Sequence, residues 1–168
     1  DLSGRPRIAN GTVDIGCYEA QHLYVDATKT DDSGDGFTKG TAKKTLKGVM
    51  EIANAGDCVH AAPGVYRDGA SKHTETGWIS TTIAVTNLTR CVIPEGVALV
   101  ADGSRDDTFI EGYRVPGSPS WTNYDQYGFG FSPDAIRGVA MGANSYLRGF
   151  TITNCSMNVM DKCANSDN

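Results

Sequence analysis

The residues with the clearest potential for chemistry are aromatic rings that stand among amide and carboxylate side chains. In the polar insertion 113–133 these rings and polar groups alternate closely, and the earlier insertion 67–78 ends in a second tryptophan. Rings of this kind stack on the CH faces of sugars, while amides and carboxylates bond the hydroxyls. The sequence therefore predicts a sugar-binding surface at Trp78, Trp121, Asn123, Tyr124, Asp125 and Tyr127. The alternative is that the rings fold back and pack on a sheet.

A second candidate site is the acidic loop DDSGDG at 31–36. Asp31, Ser33 and Asp35 match the first half of a calcium-binding loop, but Ala42 stands where an EF-hand supplies its bidentate glutamate. We expect a structural turn, with calcium at Asp31 and Asp35 as the alternative. The sequence suggests no other cofactor.

Catalytic groups are harder to identify. Arg137 and Arg148 lie in strand-like runs without an accompanying acidic trio, and no GxSxG motif is present. His22, His60 and His73 are far apart in sequence, and we expect each to be an ordinary surface or hydrogen-bonded side chain. The catalytic residues are therefore left unassigned.

The five cysteines also favour a structural interpretation. No CxxC pair exists, and the spacing is wide: Cys17, Cys58, Cys91, Cys155 and Cys163. Three of them lie in or beside apolar runs, where a cysteine serves as a small hydrophobic residue. We expect free thiols, with one disulfide as the alternative.

The charge balance narrows the classes of partner. Fifteen Lys and Arg residues against 20 Asp and Glu residues give a net charge of −5, and the basic residues are scattered. Nucleic acid is therefore not an expected partner. No apolar run approaches the roughly 18 residues of a membrane span.

The elements that would position these residues are short strands and one helix. Apolar runs of three to seven residues, rich in Val and Ile, are bounded by Gly, Pro, Asn or Asp. Leu46, Val49, Met50 and Ala53 have helical spacing, with Thr41 as the expected cap and Gly56 as the expected end. The phrases GVALVADG and SYLRGFTITN share one pattern, which is typical of the stacked coils of a solenoid. An amphipathic helix would cover the open end of such a stack.

One family has this order of phrases. The segment from LYVDATKTDDSGDG to GDCVHAAPGVYRD resembles the amino-terminal cap and first coil of pectate-lyase-like, right-handed parallel β-helix proteins. VIPEGVALVADG resembles the second coil and SYLRGFTITNC the third, so the resemblance covers about residues 22 to 155. It implies an all-β fold, a right-handed parallel β-helix with an N-terminal amphipathic capping helix.

Residues 1–21 resemble a different part of such proteins. RPRIANGTVDIGCYE is similar to the segment that closes β-helix domains in large exported bacterial proteins, although Cys17 replaces the usual alanine. We therefore expect residues 1–21 to close a preceding unit and residues 22–168 to be the cap and first coils of the next, truncated one. The resemblance implies a secreted or cell-surface location, and other β-helix units of the same polypeptide as neighbours.

These observations predict a non-catalytic structural or carbohydrate-binding segment of an adhesin-like exported protein. The alternative is the N-terminal part of a polysaccharide lyase or glycoside hydrolase whose groove lies on later coils. A glycan or polysaccharide is the expected ligand in both cases.

Overall fold

The computed structural model describes residues 8–9, 12–13, 20–76, 84–116 and 134–156. Within these residues the chain forms strands and one short helix. In chain order they are β1 (Ile8–Ala9), β2 (Thr12–Val13), β3 (His22–Val25), α1 (Leu46–Met50), β4 (Cys58–Ala61), β5 (Gly64–Tyr66), β6 (Ser71–Thr76), β7 (Ala84–Ile93), β8 (Ala98–Ala101), β9 (Thr108–Glu111), β10 (Ile136–Met141), β11 (Tyr146–Arg148) and β12 (Thr151–Thr153). No helix among these residues is long and apolar enough to cross a membrane.

The described strands divide among four small sheets. One is a four-stranded sheet in the order β11-β8-β4-β3, and another is a three-stranded sheet in the order β12-β9-β5; all neighbours in these two sheets are parallel. The third sheet, β10-β7-β6, is mixed, because β10 is parallel to β7 while β6 is antiparallel to it. β1 and β2 form an antiparallel pair.

This architecture contradicts the predicted right-handed parallel β-helix with an N-terminal amphipathic capping helix. The strands form separate small sheets, parallel and mixed, and not one continuous solenoid. The antiparallel β6–β7 pair runs against the expected strand direction. The segment 46–53 contributes only the five residues of α1, which follows β3, so the expected N-terminal helix is absent. The predicted boundary after residue 21 stays a prediction.

The helix is short because its start lies later than the sequence suggests. The N-cap is Thr45, four residues after the expected cap Thr41, and its side chain accepts from the amide of Gly48 at 2.9 Å. The Thr41 hydroxyl donates instead to the carboxylate of Asp35. Asp32 holds this cap in place: its carboxylate accepts from the amides of Lys44 and Thr45 at 2.7 and 2.8 Å and from the Thr45 hydroxyl at 2.6 Å. The helix then ends at Met50, and its C-cap Glu51 lies five residues before Gly56. A helix of this length depends on its cap and its packing.

The core follows from strand alternation. In β3 and β4 every second residue is buried, so Leu23 and Val25 pair with Val59 and Ala61 on the inner face. Leu99 of β8 continues this row next to Val59. The apolar face of α1, formed by Leu46, Val49 and Met50, belongs to the same buried cluster. The alternate residues of these strands, His22 and Tyr24 in β3 and Cys58 and His60 in β4, therefore face outward.

Gly48 gives the sharpest test of the capping arrangement. A helical Gly→Ala change normally stabilises by up to about 1 kcal/mol, but a Cβ on Gly48 would lie 2.5 Å from the Asp32 carboxyl carbon. We expect Gly48→Ala to destabilise the protein by about 1–2 kcal/mol, the value of a lost cap, in chemical denaturation. Gly40→Ala is the control, because its Cβ would meet only the Thr38 hydroxyl at 3.6 Å. Equal effects of the two substitutions would contradict this role of Asp32.

Candidate functional site

The outer face of the four-stranded parallel sheet gathers the polar and aromatic side chains. Parallel strands in register place residues of equal parity side by side. One row across this face consists of His22, Cys58, Ala98 and Tyr146. The next row consists of Tyr24, His60, Val100 and Arg148. Residues that are 36 or more positions apart in sequence thus become neighbours.

Asp57 fixes the pairing of the two strands that carry the histidines. Its side chain is buried, and its two carboxylate oxygens accept from the amide of Gln21 at 2.9 Å and from the amide of Asn54 at 2.8 Å. Gln21 immediately precedes His22, and Asp57 immediately precedes Cys58. The buried carboxylate therefore holds the starts of β3 and β4 together and sets His22 opposite Cys58.

A chain of four polar side chains crosses this face. His22 Nδ1 lies 2.8 Å from His60 Nε2, and His60 Nδ1 lies 2.9 Å from Asp102 Oδ1. The other oxygen of Asp102 accepts from Lys39 Nζ at 2.8 Å. Since a carboxylate only accepts, the neutral His60 ring carries its proton on Nδ1 and keeps a lone pair on Nε2. The position of Asp102 thereby selects the tautomer of His60.

Two ring contacts hold His60 in place. Tyr24 stacks on it, with the ring centroids 5.4 Å apart and the planes inclined by 24°. His22 lies on another side with its centroid at 5.0 Å. Because His60 is flanked by both rings and bonded at both nitrogens, its orientation is set before any ligand arrives.

The pKa values of Asp102 and Lys39 show that both groups are charged at neutral pH. Partial burial acts to raise the pKa of Asp102, but the hydrogen bonds from Lys39 and from His60 outweigh it and hold the pKa below its usual value. The same hydrogen bond to Asp102 raises the pKa of Lys39. Asp102 is therefore a permanent carboxylate at neutral pH, and Lys39 a permanent cation.

Cys58 is a free thiol beside this chain of side chains. Its partial burial raises its pKa, and the negative charge of Asp102 raises it further. Sγ of Cys58 and the ring nitrogens of His22 and His60 lie within 4.8 Å of one another, which is close enough for a shared metal ion. The free state of Cys58, Cys91 and Cys155 confirms the expectation of free thiols for these three residues.

An open cleft of about 160 Å³ lies on the Asp102 side of His60. Tyr24 and His60 form one part of its wall, and Lys39 and Asp102 contribute a cation and a carboxylate. Its remaining lining is Val25, Asp26, Ala42, Ala62 and Pro63. An apolar wall with a few polar groups is the usual composition of a small-molecule site.

The structure describes only two of the site residues predicted from the sequence, Asp31 and Asp35. The sugar-binding candidates Trp78, Trp121, Asn123, Tyr124, Asp125 and Tyr127 fall outside the described residues. Asp31 and Asp35 are described, and each carboxylate closes a local turn: Asp31 accepts from the amide of Ser33 at 2.9 Å, and Asp35 from that of Phe37 at 3.0 Å. Hydrogen bonds from the side chain and the amide of Ser33 lower the pKa of Asp31, and those from the Thr41 hydroxyl and the Phe37 amide lower the pKa of Asp35. Calcium binding at Asp31 and Asp35 stays a prediction.

Sequence reasoning missed the cluster of His22, Cys58 and His60. It treated the histidines as separate because the two partners of the His22–His60 contact are 38 positions apart in sequence. A usable signal existed, since HLYV and CVHA both place polar residues at alternate positions of short strands. Their register was needed to bring these positions together.

The reactivity of Cys58 tests the electrostatics of this face. Because only the thiolate is nucleophilic, we expect Cys58 to alkylate at pH 7 more slowly than a cysteine in an unfolded peptide, with a rate that rises with pH. Asp102→Asn should shift this rate profile to lower pH, because it removes a negative charge that raises the pKa of Cys58.

Peptide mapping by mass spectrometry, with a chelator present, resolves the individual cysteines. Cys91 is the internal control, because complete burial raises its pKa to about 12 and shields it from the reagent. Faster alkylation of Cys58 than of the peptide would contradict this account.

Comparisons of the chain with protein-family models, with curated proteins and with solved structures found no match. No relative therefore identifies the family that the sequence resembles, and the site is interpreted from its own chemistry.

Proposed function

We propose that this protein binds carbohydrate, without cleaving it, in the cleft between Tyr24, His60 and Asp102. The observation that carries the proposal is the stacked Tyr24–His60 pair at the wall of an open cleft whose rim holds both a cation and a carboxylate. The proposal keeps the ligand class expected from the sequence but moves the site to residues that the sequence did not single out.

The aromatic wall supports sugar recognition. A pyranose presents apolar CH groups on one face, and a fixed aromatic ring offers the flat apolar surface that such a face contacts. Stacking on His60 holds the Tyr24 ring at one orientation, so little conformational entropy is lost when a ligand binds. The ring is therefore preorganised.

The rim of the cleft supports the polar half of the recognition. Lys39 Nζ has three donors and uses one of them on Asp102, whose carboxylate oxygens have further acceptor capacity. Sugar hydroxyls both donate and accept, so a rim with fixed donors and acceptors suits them. At about 160 Å³ the cleft is smaller than the roughly 300 Å³ at which drug-sized sites begin. It suits one sugar unit of a longer chain.

The titratable groups of the rim favour binding over catalysis. A glycoside hydrolase needs a carboxylic acid whose pKa is raised, but that of Asp102 is lowered. A lyase needs a base that loses its proton readily, but the pKa of Lys39 is raised. The secreted or cell-surface location that the resemblance implies stays a prediction, and it would give the cleft access to polysaccharide.

The test is glycan-array binding, followed by calorimetry on the best glycan, with a chelator in the buffer. Tyr24→Ala should weaken binding by about two- to tenfold, because an aromatic contact contributes about 0.5–1.5 kcal/mol, and Tyr24→Phe should retain the affinity. Tyr146→Ala is the matched control, since Tyr146 is an exposed aromatic residue on β11 of the same sheet.

Two outcomes would overturn the proposal. One is that the wild-type protein binds no glycan on the array. The other is that Tyr24→Ala and Tyr146→Ala weaken binding equally. Release of reducing or unsaturated sugar ends from the bound glycan would instead identify an enzyme.

A further inference from the structure

Three side chains on the outer face of the four-stranded sheet, of which His60 also lines the cleft, have the donor atoms of a transition-metal site. Within the described residues, His22, Cys58 and His60 form the group whose ligand atoms all lie within 4.8 Å of one another. His22 and Cys58 are opposite each other on β3 and β4, and His60 is two residues beyond Cys58 on the same outer face. Rigid strands therefore supply all three donors.

The orientation of His60 is that of a metal-ligating histidine. Such a histidine donates its second ring N–H to a carboxylate, which fixes the tautomer and increases the basicity of the ligating nitrogen. Asp102 Oδ1 lies 2.9 Å from His60 Nδ1, and Nε2 turns its lone pair towards His22. Lys39 in turn holds the other oxygen of Asp102. The carboxylate is thus fixed as well.

We propose that His22, Cys58 and His60 bind one zinc-type divalent ion, with Asp102 as the positioning residue for His60. Two imidazoles and one thiolate select borderline metals such as Zn²⁺ and Co²⁺ over Ca²⁺ and Mg²⁺, which prefer oxygen ligands. Three protein ligands leave one position of a tetrahedral ion for water or an external ligand. The metal-site proposal does not rest on the proposed carbohydrate binding, although His60 belongs to both sites.

Only a small movement is needed to form the site. Around a tetrahedral ion with metal–nitrogen bonds of about 2.0–2.1 Å, two nitrogens are about 3.3 Å apart, and a nitrogen and a sulfur about 3.5 Å apart. The two facing ring nitrogens are now 2.8 Å apart, joined by a hydrogen bond. The exposed His22 ring is the one that can turn, exchange its tautomer and direct its lone pair to the ion. Ala98, opposite Cys58 on the next strand, adds only a methyl group to this row.

The alternative role for these residues, a cysteine nucleophile activated by histidine, agrees less well with the geometry. The Nε2 atom of His60, the nitrogen that would have to take the proton of Cys58, is hydrogen-bonded to Nδ1 of His22 instead. A bound ion needs no such base, because a coordinating thiol loses its proton to solvent as the metal–sulfur bond forms.

The experiment is a titration of the chelator-treated full chain with Co²⁺ and, separately, with Zn²⁺. We expect one Co²⁺ ion per chain, with the visible absorption of tetrahedral cobalt and a thiolate-to-cobalt charge-transfer band in the near ultraviolet. Zn²⁺ should displace the cobalt and abolish both signals. Cys58→Ser should remove the charge-transfer band, and His22→Gln should weaken binding by about 100-fold or more, above the range for losing a second-shell partner.

Asp102→Asn should keep the charge-transfer band but weaken Co²⁺ binding by about 10- to 100-fold, the range for a lost second-shell partner. The matched controls are His73→Gln, Cys155→Ser and a Cys17→Ser/Cys163→Ser double variant, all of which should bind Co²⁺ as the wild type does. Circular dichroism verifies that each variant is folded. His22→Gln keeps the test decisive if Cys58→Ser fails to fold, because His22 is exposed.

The proposal is overturned if the wild type shows no saturable Co²⁺ binding, if Cys58→Ser retains the charge-transfer band, or if the Cys17→Ser/Cys163→Ser variant loses it. Carbohydrate binding is measured with a chelator present and with substitutions at Tyr24. A failure of either proposal is therefore recognised separately from a failure of the other.

Discussion

The buried carboxylate of Asp57 is the interaction on which the arrangement of this face depends. A slip of β3 by one residue against β4 would turn every side chain of β3 to the opposite face of the sheet. It would send Leu23 and Val25 into solvent and His22 and Tyr24 into the core. By bonding the amide of Gln21, Asp57 fixes this register at its first residue. Burial of a carboxylate costs free energy unless its oxygens accept hydrogen bonds. The need to bond both oxygens of Asp57 therefore favours the one register that brings the Gln21 amide to it.

His60 belongs both to the cleft and to the cluster of His22, Cys58 and His60. Its Nδ1 is bonded to a carboxylate that lines the cleft, and its Nε2 is directed at His22 and lies near Cys58. The Tyr24 ring covers it and belongs to the cleft wall. Any change in the charge or orientation of this one imidazole therefore reaches both the cleft and the cluster. Asp102 and Lys39 counteract such changes, since their ion pair anchors one end of the ring.

Local features could be predicted from the sequence, while features that depend on strand pairing could not. The buried stripe of Leu46, Val49 and Met50 lies where its periodicity indicates. The length of the helix was misjudged, because nothing in its own sequence shows that Asp32, 13 residues before Thr45, holds the cap. The fold was misjudged for a related reason: a run of short apolar strands does not reveal the direction of their neighbours, and β6 is antiparallel to β7.

The candidate site illustrates the same limit. His22 and Cys58 look unrelated in sequence, and their contact exists only because a parallel pairing joins distant strands. His60 alternates with the buried Val59, so alternation alone places it on the outer face. Alternation carried no information about which residue would face it. The acidic loop, in contrast, looked like a ligand site in sequence, although its carboxylates close local turns.

The spacing of the paired strands has a consequence for how the chain folds. His22 pairs with Cys58, Cys58 with Ala98 and Ala98 with Tyr146. The residues of these three pairs are 36, 40 and 48 positions apart, respectively. Each of these pairings requires closure of a long loop before any hydrogen bond of the ladder compensates for the lost chain entropy. The pairings of this sheet therefore join residues far apart in sequence, a property characteristic of domains that fold in milliseconds to seconds. During that interval the edges of β3, β4 and β8 are exposed to other chains, and synthesis from the N-terminus lets β3 and β4 pair before β8 and β11 have emerged.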